Sequence, residues 1–367
     1  MFKSSIILSI IMCFSTTVLA NTKVKLGMSN ATAGPVASLG AELYLGSQTY
    51  FEQLNLQGGI NGKQVELLSL NDNYEPKLTV INTRTFIEQE QIFALFGYVG
   101  TPTSYAIFPI LKKTGIPYLM PFTGADFLRR PIQENIFNLR ASYLQEAQTQ
   151  IDYLINKKRY KNIALVIQAD EFGLAAQRAL NKELSRYNIT PVVNARYQRN
   201  TRDMSHVIKK LQTKPIDAVI FIGTYEPFSH LINTAAQEKI DVLFTSLSFI
   251  ASHEVYSRLK YNSRVMITEV FPDPSECRWT ICQRFKNDMT KAGVNKLNRV
   301  QLEGYINAHV FSEVAKRCEQ ELSHACLIKQ FEQYSFKDKD LDIKFSDNNH
   351  QGLQKIYLSF SPGALLP

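Results

Sequence analysis

Short apolar runs alternate along most of this chain with longer stretches in which apolar residues recur every three or four positions. VKLGMS (24–29) reads as a strand, and Leu43, Tyr50, Phe51 and Leu54 share one face of a helix over about 39–56. The turn GGINGK leads to a strand QVELLSL (64–70), a helix over about 76–89 and a strand IFALFG (92–97). Another helix and the strand IPYLM (116–120) follow. A second series starts after FNLRAS (137–142), with strands predicted at 162–168, 190–197, 217–223 and 242–246. Helices at 143–157, 171–186, 204–213 and 227–238 are interleaved with them. This β-α-β-α order predicts an α/β protein with parallel sheets covered by helices on both sides, and the order runs twice.

The order changes from Val265. A strand at 265–271 and helices at about 278–292 and 299–317 are followed by a closing strand at 355–360. A chain that returns to the first lobe after Phe271 and to the second near its end crosses between lobes three times. The expected division is 21–140 with 271–335 as lobe 1, and 141–270 with 336–367 as lobe 2. Residues 1–20 read as a cleaved secretory signal, with Lys3, an apolar segment from Ile6 to Phe14 and small residues up to Ala20. Cys13 lies inside the apolar segment, which argues against a lipid anchor. The mature chain has no apolar run long enough for a membrane span, so export to the periplasm is expected.

The residues after the signal exceed what one core usually holds, and a hydrophobic fraction of 45% supports two cores. The formal net charge is +8, but Lys and Arg are spread among acids, and the densest run, KKRYK (157–161), reads as a solvated helix end. A nucleic-acid partner is therefore not expected. Cys277, Cys282, Cys318 and Cys326 form two close pairs that read, in an oxidising compartment, as local disulfides 277–282 and 318–326. Their spacing fits no zinc knuckle, and no metal is expected.

Ligands of open parallel sheets sit beyond the carboxyl ends of the strands, so the residues after each strand are the candidate site. The first strand ends in SNATAGP, beginning at Ser29, and the third opens into YVGTPTS, beginning at Tyr98. Thr101 reads as an N-cap with Pro102 in the first helical position. The N–H groups of Thr103 and Ser104 then carry the positive end of the helix dipole toward the opening, which suits a carboxylate without a basic side chain. Pro109 is expected to limit or kink this helix after about two turns. Phe122, Thr123 and Gly124 follow IPYLM, with Gly124 allowing close backbone approach. All of these also fit plain helix caps and turns. In the second lobe Asp170 and Glu226 are candidate ammonium partners or helix caps, and Phe172, Tyr225 and Phe249 can enclose a ligand body.

Enzyme motifs are missing. There is no nucleophile elbow, dinucleotide fingerprint or phosphate-cradling loop, HEVYS lacks the second histidine of a zinc-protease helix, and the six histidines are scattered. No acid, base and nucleophile constellation emerges, so neither catalysis nor a cofactor is expected.

The phrases VKLGMSNATAGPVASLG, YFEQLNLQGGINGKQVELLSLNDNYEP, LFGYVGTPTS, GIPYLMPFTGADFLR and QADEFG resemble the type I periplasmic solute-binding proteins of ABC transporters, in the leucine/isoleucine/valine- and amide-binding branch. The likeness covers roughly 23–275 well and the rest by overall pattern. It implies two Rossmann-like lobes joined by a three-strand hinge and closing on a small ligand. By position, Thr101 and Phe122 to Gly124 resemble the family's carboxylate-binding elements, and Phe172 and Tyr225 its wall residues. Leu39 falls where relatives place an aromatic. Ser248 falls where amino-acid binders carry an acid for the α-ammonium, which puts a simple branched-chain amino acid in doubt unless Glu226 or Asp170 substitutes. The resemblance implies a monomer that delivers an amino acid, amide or related metabolite to an inner-membrane ABC permease. The alternative is a ligand-sensing subunit that signals to a membrane receptor or kinase.

Overall fold

The computed structural model describes residues 23–364, so the expected signal at 1–20 lies outside the described residues. The first sheet contains β1 (Val24–Asn30), β2 (Val65–Asn71), β3 (Ala94–Phe96), β4 (Tyr118–Leu119) and β5 (Ile136–Phe137). They lie parallel in the order β2-β1-β3-β4-β5. The helices α1 (Ala37–Leu56), α2 (Pro76–Glu88) and α3 (Thr101–Thr114) connect the first four.

The second series runs α4 (Tyr143–Asp152), β6 (Ile163–Gln168), α5 (Glu171–Arg186), β7 (Val193–Tyr197), α6 (Ser205–Leu211), β8 (Ala218–Ile222) and α7 (Tyr225–Gln237). It ends with β9 (Leu243–Ser246), α8 (Ser252–Tyr256) and β10 (Val265–Glu269). Its parallel strands take the order β7-β6-β8-β9-β10, the same winding as the first sheet. After α9 (Thr280–Lys291), α10 (Arg299–Lys316) and α11 (His324–Glu332), a two-stranded ribbon forms from β11 (Ser335–Asp338) and β12 (Leu341–Lys344). The last strand, β13 (Tyr357–Phe360), adds antiparallel to β10 at the edge of the second sheet.

The strand order reverses between β1 and β3 in one sheet and between β6 and β8 in the other. A crevice opens beyond the carboxyl ends of the strands at each such reversal. The two crevices face one another, because Ala31, Val36, Leu39, Tyr74, Val99 and Phe122 of the first lobe share a buried apolar cluster with the second.

Two features differ from the sequence expectation. The sequence pattern places residues 336–367 in the second lobe, yet Leu341, Ile343, Phe345 and Leu353 are buried in the first core beside Phe137 and Phe331. The strand period of two along LDIKF turns these apolar residues onto that core. The chain crosses only after Leu353, next to the 138–142 segment: Leu353 N–H donates to Leu139 O at 2.8 Å and Gly352 N–H to Asn138 O at 2.9 Å. Second, of the two outcomes expected at Pro109, an end to the helix is not found, since α3 continues to Thr114. Pro109 and Tyr105, whose carbonyl loses its helical donor to the proline, both lie on the exposed face, where water can replace that bond.

The third segment is fastened to the first lobe by α10 lying across α1. A Cβ at Gly46 would stand 1.9 Å from Gln301 O, and one at Gly304 2.2 Å from Leu43 O. Contact this close leaves only hydrogen at both positions. Gly304→Ala is therefore expected to cost roughly 1 to 3 kcal/mol through overpacking, read as a lower thermal midpoint. An unchanged midpoint would mean that the helices separate freely. The cysteines are bonded as 277–282 and 318–326, with Cα separations of 6.1 and 6.0 Å. Among the described residues no helix is long and apolar enough to cross a membrane.

Candidate functional site

The start of α3 leaves backbone donors free at the seam. Gly100 is its N-cap, at φ 110°, and Thr101 is the first helical residue, so the cap falls one position before the one expected. A Cβ on Gly100 would meet the Tyr74 ring at 2.3 Å, which leaves only glycine there. The first intrahelical bond is donated by Ser104 N–H to Gly100 O, leaving the N–H groups of Thr101 and Thr103 at the positive end of the helix.

The Thr101 hydroxyl lies 2.7 Å from that of Thr123 and 3.1 Å from that of Tyr143, and Thr123 lies 3.2 Å from Tyr143. All three are buried, and burial pushes the Tyr143 phenol above its ordinary value. This trio joins the ends of β3 and β4 to the first residue of α4. It is therefore assembled only where the two lobes meet.

Across the seam stand aromatic rings. Phe249 packs against Phe172 at 4.7 Å between centroids, Phe122 at 5.8 Å and Tyr74 at 5.9 Å, and Tyr143 packs against Phe172 at 5.4 Å. Phe172 starts α5 and Phe249 follows β9, while Tyr74 and Phe122 belong to the first lobe. Phe172 and Phe249, two of the residues expected to enclose a ligand body, thus meet the first-lobe rings directly, and the lobes are closed on one another. Tyr74 reaches its position from a left-handed backbone, φ 61°, uncommon for an aromatic residue and a frequent mark of functional loops. Asp72 holds it there, accepting from Tyr74 N–H at 2.9 Å while taking the hydroxyls of Ser29 at 2.8 Å and Thr79 at 3.0 Å.

Behind the rings lies a buried charge network. Arg140 stacks on Phe122, its guanidinium 3.9 Å from the ring centroid, donates to Ser248 Oγ at 2.8 Å and pairs with Glu303 at 3.1 Å. Glu146 accepts from Ser248 N–H at 2.7 Å, Ser248 Oγ at 3.0 Å and Thr268 Oγ1 at 2.6 Å. Burial raises the Glu303 carboxyl to about 7, with Arg140 opposing and Glu269 and Glu146 adding to the rise. Glu269 is likewise raised to about 7 by burial, against Arg299 and Ser252.

The other expected site residues divide clearly. Tyr98 is buried in the first lobe, bonded to Thr83 at 3.1 Å, away from the seam. Thr103 turns its hydroxyl back to Val99 O and Gly100 O at 2.5 and 2.9 Å. Ser29 serves Asp72. Gly124 admits the chain at Tyr143, whose N–H donates to Gly124 O at 2.8 Å. Asp170 caps α5 through Gly173 N–H at 3.0 Å and binds Gln168 at 2.6 Å, with Arg199 3.6 Å away. Glu226 pairs with Arg202 at 2.6 Å and lines a separate cavity with His230 and Asn233. Tyr225 lies under Arg258, 4.8 Å from its ring centroid.

Tyr74, Arg140, Tyr143, Glu146 and Arg199 were not picked out from the sequence. Arg140 did leave a signal, as a lone cation inside the crossing segment FNLRAS. Among the described residues no three of His, Cys, Asp and Glu are grouped as a metal would require.

A family model described as periplasmic binding protein matches residues 23–359. An amino acid binding protein of Pseudomonas aeruginosa is 22% identical over 67% of this chain and 66% of its own length. A Leu/Ile/Val-binding protein homolog of Brucella melitensis is 27% identical over 56% of this chain and 55% of its own. The chain thus spans 55 to 66% of the length of these relatives. Among solved structures, a possible leucine/isoleucine/valine-binding protein from Rhodopirellula baltica superimposes with a TM-score of 0.89 at 27% identity, covering 95% of this chain and 96% of that one. A branched-chain amino acid ABC transporter protein from Thermus thermophilus with bound valine gives 0.84 at 15% identity over 94% and 95%, a likeness of fold alone.

Proposed function

Because the chain belongs to the periplasmic binding protein family, with the family model matching 23–359, we propose that it captures one small carboxylate-bearing solute between its lobes. It then hands the solute to an ABC permease of the inner membrane, without chemistry on the solute. The observation that carries this reading is the hydroxyl trio of Thr101, Thr123 and Tyr143 at the positive end of α3, facing Phe172 and Phe249 across the seam. A relative named for binding leucine, isoleucine and valine supports a solute that carries a carboxylate.

With the lobes in contact, solute enters only when they separate about the crossing segments. Closure is favoured by contacts that exist only when both lobes reach the ligand. Thermal-shift and calorimetric titration with amino acids, amides and short carboxylates tests the reading. At least one of them is expected to raise the unfolding temperature and saturate at one site per chain.

In the complex, Thr101→Val keeps the shape and removes the hydroxyl. It is expected to weaken binding by roughly 1 to 2 kcal/mol. Unchanged affinity would place the ligand away from α3.

A further inference from the structure

Resting on that reading of the seam, we propose that the ligand is an organic carboxylate without an α-ammonium, a 2-oxo or unsubstituted acid with an apolar body. Arg140 is the residue that sets this choice.

The polar atoms left over beside the rings include fixed donors. Arg140 is 2% exposed, yet its Nη1 forms no hydrogen bond among the described residues. Arg199 covers the Tyr74 ring at 4.6 Å, and its Nη2 and the Tyr74 hydroxyl are likewise without partners. A guanidinium has donors and no acceptor. Carboxylate and keto oxygens answer such groups, whereas an ammonium brings three more donors and a like charge.

The acids around the seam are already engaged. Both oxygens of Glu146 accept from Ser248 or Thr268. Asp170 is taken by Gly173 and Gln168, with Arg199 beside it. Glu75 faces Arg199 at 3.4 Å and Asn200 at 3.0 Å, Glu303 faces Arg140, and Glu254 binds Ser38 and Arg258. Glu269 keeps one unbonded oxygen, but it lies beside Arg299 and Ser252, and burial disfavours its charged form. An ammonium buried here would lack the paired carboxylate that a buried charge requires.

The approach to the seam carries the same bias. A cavity of about 200 Å³ bordering Tyr143 and Gly124 is lined by Arg130, Arg178 and Lys182 against the single acid Asp126. A cleft edged by one sign of charge concentrates counter-ions.

The test is calorimetric titration of the mature protein with matched pairs: 4-methyl-2-oxopentanoate against leucine, and phenylpyruvate or 3-phenylpropanoate against phenylalanine. The acids are expected to bind at least about tenfold tighter than their amino partners, a difference of about 1.4 kcal/mol. Arg140→Gln, with its fold checked by a cooperative thermal transition, is expected to bring that ratio close to one. Arg199→Gln removes the other cation from beside the Tyr74 ring and should lower the ratio in the same direction, which keeps the proposal testable if the first variant does not fold. Amino acids binding as tightly as the acids would overturn the proposal and leave the seam as the site. A folded Arg140→Gln with an unchanged ratio would overturn the role of Arg140. Failure of every compound to bind would overturn both this proposal and the reading beneath it.

Discussion

Glu146→Ala is expected to lower unfolding stability by about 3 to 5 kcal/mol, the range for breaking a buried charge network by removing one partner. Glu146 is fully buried on α4. Its carboxylate satisfies the Ser248 N–H and the hydroxyls of Ser248 and Thr268. Alanine strands those donors and leaves Arg140 with one fewer counter-charge. Each buried donor without an acceptor carries its own desolvation cost. Glu146→Gln keeps an acceptor and should lose clearly less, so the pair of variants separates charge and hydrogen bonding from packing. Urea unfolding midpoints measure both. A loss under about 1 kcal/mol for the alanine variant would mean that Ser248 and Arg140 find other partners, as surface-like groups do.

The second large effect is a stability that falls as pH rises. Glu269 and Glu303 sit near 7 in the folded protein against an ordinary 4.5, chiefly because burial disfavours their charged forms. Between those values the folded state holds protons that the unfolded chain has released. Stability therefore declines with rising pH across this window. The contribution is fully present below about 4.5 and is lost as pH passes through about 7. Each displacement corresponds to on the order of 3 kcal/mol, at about 1.4 kcal/mol per pH unit. These two groups raise the unfolding midpoint near pH 5 relative to pH 8, against the opposite pull of His309, which burial lowers to about 4. Glu303→Gln, which is neutral throughout, should flatten the slope. Parallel curves for the two proteins would show that Arg140 keeps Glu303 ionised over the whole range.

Most of the architecture could be read from the sequence, because burial on a parallel sheet writes continuous apolar runs and its covering helices write a period of 3.6. NIALVIQ and DAVIFIG became β6 and β8 with ends moved by a residue. The short ribbon of β11 and β12 leaves little trace in the sequence, since its alternation spans few residues and exposes every second side chain. The start of α3 was also legible: glycine, threonine and proline before a helix report a cap through local sterics.

What sequence could not supply was the pairing of distant segments. Tyr143 opens a helix like many others, and only the fold brings its hydroxyl to Thr101 and Thr123. Arg140 with Glu146, Ser248 and Glu303 lie on three separate segments, so their network has no local signature. Asp170 and Glu226 had the chemistry of ammonium partners, but helix capping and nearby arginines claim them. The closing rings are the same kind of case. Phe122, Phe172 and Phe249 follow three different strands, and only the facing of the two crevices makes them neighbours.

The most direct measurement is a crystal structure of the protein bound to the tightest acid from the titration series. The ligand carboxylate is expected within hydrogen-bond distance of Thr101 Oγ1 and the Thr103 N–H, with its body between Phe172, Phe249 and Tyr74. Ligand density elsewhere, as in the groove of about 380 Å³ beside Trp279 and Tyr357, with the seam side chains unmoved, would contradict the account.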